Sequence, residues 1–137
     1  MQIKSAAIYQ LYLFFDCDFT IEKPERMTLE PGVYIYTGRS KRWIEKRISR
    51  HLKQMKPLQW HIDQLTTHPQ MTKIKYHIFN LPAEMECYLN QSLEQEPDFL
   101  RFIPGFGNSD CHACRGHLAQ FKANFNWEQF CEKDFND

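Results

Sequence analysis

Arg47 and His51 lie four residues apart, so a helix carrying them points both side chains toward one edge, with Trp43 on the same flank. Immediately before them, Pro31-Gly32-Val33-Tyr34-Ile35-Tyr36-Thr37-Gly38 opens on a proline-glycine turn, runs through β-branched and aromatic residues and ends on a glycine. A guanidinium grips phosphate oxygens in a two-pronged way that lysine cannot reproduce, and tyrosine or histidine orients or deprotonates water. A strand that brings tyrosines to its edge beside an arginine-rich helix therefore has the residue types needed to handle a phosphodiester. A second chemical group is Cys111-x2-Cys114-x2-His117, two thiols and an imidazole within one turn, suited to zinc, with His112, Asp110, Cys131 or His61 as the fourth ligand. Cys17, Cys87 and Cys131 read as isolated. In Trp60-His61-Ile62-Asp63, His61 and Asp63 are two apart and cannot share a helix face. His61 is the better placed for a site, and Asp63 for capping or pairing.

The formal net charge is zero, which argues against nonspecific coating of a polyanion, but the charges are not evenly spread. Between positions 39 and 56, Arg39, Lys41, Arg42, Lys46, Arg47, Arg50, Lys53 and Lys56 face a single acid, Glu45, whereas from Glu84 onward acids outnumber bases. Such a distribution suits a polyanion met on one side, through Arg39, Lys41, Arg42, Lys46, Arg50, Lys53 and His61. With 137 residues and 42% hydrophobic content, the chain predicts one domain with a modest core. No apolar run approaches the ~20 residues of a membrane span. The amino terminus lacks a signal-peptide pattern and the cysteine count of 5 is odd, so a reduced, cytoplasmic protein is expected.

The elements that must position these groups follow from periodicity. Ala6 to Phe15 is almost continuously apolar, as in a strand buried on both faces, and Val33 to Thr37 predicts a second strand, antiparallel to it. Between them, Cys17 to Glu30 reads as a polar connection with a short strand near Thr28-Leu29. Ser40 would cap a helix from Arg39 to Met55 whose stripe Ile44, Ile48, Leu52 and Met55 faces the sheet. A short helix over Leu58 to Thr67 and a strand alternating through Ile74, Tyr76 and Ile78 follow. Next comes a helix from Ala83 to Gln95, with Met85, Tyr88, Leu89, Ser92 and Leu93 inward and Glu86 at its buried border. Leu118 to Lys122 predicts a strand, and Asn126 caps a last helix. The fold class expected is α+β, a small antiparallel sheet flanked by helices with a C-terminal Cys/His segment from about 104 to 137.

On these elements the chain resembles the GIY-YIG nuclease superfamily. It is closest to a branch found alone or fused to endonuclease III-type repair enzymes. The second tripeptide matches at Tyr36-Thr37-Gly38, and the first at Ala7-Ile8-Tyr9, where alanine replaces glycine; Gly32-Val33-Tyr34 is a competing literal match on the wrong strand. The branch's blocks recur in order: Pro31 to Gly38, Arg47 with Arg50-His51, Trp60 to Asp63, Glu86-Cys87, Pro104 to Cys111, and His117-Leu118. The cysteine loop has one residue more than the branch's usual string. The resemblance implies an endonuclease that hydrolyses DNA phosphodiesters, with repair or processing as its setting. It would use Tyr9, Tyr36, Arg47, His51 and Glu86, with Mg²⁺ or Mn²⁺ on Glu86, and Zn²⁺ on the Cys/His cluster is a further expectation. Asn108 falls in the region of the superfamily's asparagine-like metal partner. The alternatives are a nucleic-acid-binding module that has lost cutting and a zinc-stabilised accessory domain.

Overall fold

The computed structural model describes residues 8–40, 42–107 and 113–135. Eleven regular elements follow in order: β1 (Ile8–Phe15), β2 (Phe19–Ile21), β3 (Met27–Leu29), β4 (Gly32–Arg39), α1 (Ile44–Leu52), α2 (Asp63–Thr66), β5 (Met71–Phe79), α3 (Glu86–Ser92), β6 (Phe99–Phe102), β7 (Leu118–Phe121) and α4 (Trp127–Cys131). Single 3-10 turns, Ala83–Met85 and Leu93–Gln95, flank α3. The strands form a five-stranded sheet in the order β5-β1-β4-β7-β6, antiparallel throughout, and a separate β2-β3 hairpin. The class is α+β, as the sequence pattern predicts. Its C-terminal Cys/His segment is stitched into the sheet through β7, which pairs directly with β4.

β1 is central and both its faces are covered, which is why its sequence shows no polar alternation. One face carries Tyr9, Leu11, Leu13 and Phe15, packed with Tyr34, Ile44, Ile48, Phe106 and Leu118. The other carries Ile8 and Tyr12, packed with Val33, Ile35, Leu89, Phe121 and Trp127. Gln10 lies on this second face and is satisfied in full view of the apolar core. Its amide donates to Thr37 Oγ1 at 3.1 Å, and its carbonyl accepts from Trp127 Nε1 at 2.9 Å. The pairing of β1 with β4 puts Tyr9 opposite Gly38 and Leu11 opposite Tyr36, so both tyrosines stand on one face.

Several expectations are corrected. Ser40 is not the helix cap: its hydroxyl donates to the Arg42 carbonyl, and α1 begins only after Trp43, a left-handed residue (φ 56°) with no side-chain cap bond. The apolar stripe ends early. Lys53 is extended (ψ 128°), so Leu52 is 41% and Met55 91% exposed, and His51 takes the inward place beside Ile44 and Ile48. The helix expected over 58–67 shrinks to α2, because the backbone before it wraps around the Asp63 carboxylate. Tyr88 points to solvent, whereas Asn90 is buried on α3 with its amide donating to the Gly116 carbonyl at 2.8 Å. The edge strand β6 had no sequence forecast. Asn126 does cap α4, its side chain accepting from the Gln129 amide.

Candidate active site

Tyr9 and Tyr36 project from β1 and β4 toward α1, with ring centroids 6.4 Å apart. Gly38 makes this possible: a Cβ there would lie 2.6 Å from the Tyr9 hydroxyl and 3.0 Å from the Tyr36 ring. His51, on the last turn of α1, closes the group. Its Nε2 is 2.7 Å from the Tyr9 hydroxyl, and its ring is 6.1 Å from that of Tyr36. Tyr9 and His51 are each only 1% exposed, while Tyr36 is half-buried. Tyr34, the competing tyrosine, has no part here; its hydroxyl donates to the Glu30 carbonyl and its ring packs on Phe15 and Phe19.

Charge enters from two sides. The Arg47 guanidinium lies over the Trp60 ring at 4.8 Å, close enough to Tyr9 for its charge to act on the phenol. Burial raises the Tyr9 pKa well above the usual phenol value, as does the neighbouring Tyr36, while Arg47 pulls the other way. Burial, then the Glu86 charge, raises Tyr36 likewise. Burial, with Lys56 next in effect, lowers His51 to about 4. At neutral pH both phenols are therefore protonated and the imidazole is neutral. Tyr9 and His51 thus share one hydrogen bond, between the phenol oxygen and Nε2, with Arg47 near enough to draw the phenol pKa down. His51 Nδ1 is buried with no hydrogen-bond partner among the described residues.

Glu86 comes from the first turn of α3. Its carboxylate, 12% exposed, meets Arg39 Nε at 3.6 Å and His117 Nδ1 at 3.4 Å. His117 is held from the opposite side: its Nδ1 is 3.1 Å from the Thr37 carbonyl, and its backbone pairs with both Thr37 and Phe106. Gly116 permits that close passage, since a Cβ on it would sit 2.0 Å from the Ile103 carbonyl oxygen. Tyr9, Tyr36, Arg47 and His51 thus cluster where α1 covers the paired strands β1 and β4, and Glu86, held by Arg39 and His117, is near enough for its charge to act on both phenols.

The arginine-rich helix is less open than its charge count implies. Arg50 forks onto Asp63, with both N···O distances 3.0 Å, and the same carboxylate accepts from the Gln59 and Trp60 amides at 2.8 and 2.9 Å. Its charge is already paired within the fold. Lys56 is buried too, donating to the Arg50 and His51 carbonyls at the end of α1. Arg39 pairs with Glu86. That leaves Arg42, Lys46 and Lys53 exposed, with Lys46 over the exposed Trp43 ring at 4.9 Å. Lys41 lies outside the described residues. His61 accepts from the Gly107 amide at 2.9 Å and stacks edge-on with Phe106, one residue removed from Tyr36.

Of the expected cysteine-histidine cluster, Cys111 lies outside the described residues, as do Asn108, Asp110 and His112. Cys114 and His117 are joined instead by Cys87, which sequence spacing had left isolated. The ligand atoms of these three residues all lie within 4.8 Å of one another. Only the position of Cys87 directly after Glu86 could have flagged it.

The sequence profile of a family described as Domain of unknown function DUF123 matches residues 8–137, nearly the whole chain. The protein belongs to that family. No curated protein and no solved structure gives a significant match. No helix among the described residues is long and apolar enough to cross a membrane.

Proposed function

We propose that the protein is a cytoplasmic, metal-dependent endonuclease that hydrolyses phosphodiester bonds in DNA, in repair or processing. The observation that carries the reading is the Tyr9–His51 hydrogen bond under α1, with Tyr36 beside it and the Arg47 and Glu86 charges acting on the phenols. Phosphodiester hydrolysis needs an activated water and charge relief on the phosphoryl oxygens. Arg47 offers a guanidinium already braced on Trp60, and Arg39 stands next to Glu86. Tyr36, the less buried of the two tyrosines by area, orients the water. As the water oxygen bonds phosphorus and the bridging P–O bond breaks, the water gives up its proton to solvent and the leaving oxygen takes one from solvent. Tyr9 keeps its proton in the hydrogen bond with the neutral His51, which fixes the phenol beside Tyr36.

The donor set fits a hard divalent ion. Glu86 is a lone carboxylate held by contacts of 3.4 and 3.6 Å rather than by short hydrogen bonds, and Mg²⁺ commonly takes one or two carboxylates and keeps its waters. Mg²⁺ or Mn²⁺ on Glu86 would supply charge stabilisation for the phosphoryl oxygens. The test is nicking of supercoiled plasmid and branched DNA, with Glu86→Gln assayed beside the wild type. The expected result is metal-dependent cutting by the wild type and loss of at least a hundredfold in the variant, with the melting temperature nearly kept. Equal cutting by both proteins would place the activity elsewhere. Binding without cutting, across metals and substrates, would favour the non-catalytic nucleic-acid-binding module, a reading to which the 1% exposure of Tyr9 lends weight.

A further inference from the structure

Cys87, Cys114 and His117 meet from two parts of the fold, Cys87 from the first turn of α3 and the other two from the segment that leads into β7. Cys114 and His117 are buried and Cys87 is half-buried, and their ligand atoms lie within 4.8 Å of one another. Zinc–sulfur and zinc–nitrogen bonds of about 2.3 and 2.0 Å put tetrahedral ligand atoms about 3.5–3.8 Å apart, so small side-chain rotations would close the set.

The histidine is already oriented for this task. Both neighbours of its Nδ1, the Thr37 carbonyl and the Glu86 carboxylate, are acceptors only, so Nδ1 carries the proton. Nε2 is then the ring nitrogen with a lone pair to offer a cation. A histidine whose far nitrogen donates to a carboxylate or carbonyl is the usual companion of bound zinc. Cys131, by contrast, lies in α4 against the Trp127 and Phe130 core, outside the group of converging ligand atoms, with its thiol raised by burial to about 12.

We infer that Cys87, Cys114 and His117 form a zinc site that clamps α3 to the entrance of β7. Two thiolates and an imidazole suit Zn²⁺ over Mg²⁺ or Ca²⁺, which take oxygen donors. On binding, each thiol gives up its proton to solvent, and no redox change is involved. The clamp also bears on Glu86: the imidazole that holds zinc through Nε2 holds the Glu86 carboxylate through Nδ1–H, so the metal fixes where that carboxylate stands. The site does not depend on the phosphodiester reading, since metal content is measured without any nuclease assay.

The experiment is elemental analysis of protein expressed with zinc in the medium and purified without chelator. It is paired with Co²⁺ titration of the metal-stripped wild type. The expected result is one zinc per chain. Stripped protein should bind one Co²⁺ with a thiolate-to-cobalt charge-transfer band and tetrahedral d–d absorption. Cys87→Ser and Cys114→Ser should each lose more than half of the zinc, and Cys17→Ser should lose none. A chelator should lower the melting temperature of the wild type, but not that of the Cys87→Ser/Cys114→Ser double variant. If a serine variant fails to fold, the cobalt spectrum of the wild type decides. Wild type without zinc and without a cobalt–thiolate band overturns the inference, and so does zinc retained at one equivalent in the double variant.

Discussion

His51 shows at the scale of one residue how burial sets chemistry. An exposed imidazole titrates near 6.5, but desolvation behind α1, with the Lys56 charge next in effect, holds this one at about 4. It is neutral over the whole physiological range and hydrogen-bonds the Tyr9 hydroxyl through Nε2 at 2.7 Å. The same burial has a thermodynamic consequence. Between pH ~6.5 and ~4 the unfolded chain binds a proton at this position that the folded chain refuses, so stability rises with pH across that window. The contribution is complete above about 6.5 and lost below about 4, on the order of 3 kcal/mol. His61, His68 and His77 are lowered by burial as well and add slopes of the same sign. The informative quantity is therefore a difference. Urea unfolding of wild type and His51→Gln from pH 7 to 4 should give a shallower loss for the variant, and parallel curves would refute a neutral buried His51.

At the scale of elements, α1 and α2 are held together by a carboxylate more than by an apolar stripe. Asp63 is fully buried. Burial is the largest influence on it and pushes its carboxyl up, but the Arg50 fork and the Trp60 and Gln59 amides outweigh burial and leave it below the usual range. It therefore stabilises the fold above the ordinary aspartate pKa near 4, and this stabilisation fades as pH falls through and below that value. Asp63→Asn keeps an acceptor for the amides but strands the guanidinium, and it should cost roughly 3 kcal/mol in chemical denaturation at pH 7. A cost under ~0.5 kcal/mol would mean the pair is a surface bridge in effect. The sequence read Asp63 as a cap or a pairing partner and Arg50 as a phosphate ligand. The strands β1 and β4 were legible because apolar runs and a glycine stop are local signals. The end of α1 was not, because Leu52 and Met55 continue its stripe while the backbone already leaves the helix at Lys53. Cys87 escaped notice for a related reason: its neighbours come from a segment remote in sequence, and no spacing rule spans that distance.

Across the whole molecule, the zero net charge is the sum of a basic flank and an acidic remainder, and folding redistributes what the flank presents. Arg39 is paired with Glu86, Arg50 with Asp63, and Lys56 is spent on the carbonyls that end α1. Arg42, Lys46 and Lys53 are the flank's exposed charges outside these pairs, with Lys46 over the exposed Trp43 ring. Phosphate contacts release condensed counterions, so each one adds about 0.9 to the slope of log affinity against log salt on duplex DNA. If the flank carries the DNA, Arg42→Gln, Lys46→Gln and Lys53→Gln should each flatten that slope by about one unit, and together by nearly three, with little change in melting temperature. Lys122→Gln, exposed at the end of β7 with its backbone amide on Asp98, should leave the slope where it was. Arg50→Gln is uninformative for binding because it unpairs Asp63. The measurement is fluorescence anisotropy on one labelled duplex from 50 to 200 mM salt. An equal flattening by Lys122→Gln would assign the binding to overall charge and remove the basic flank as the DNA-facing surface.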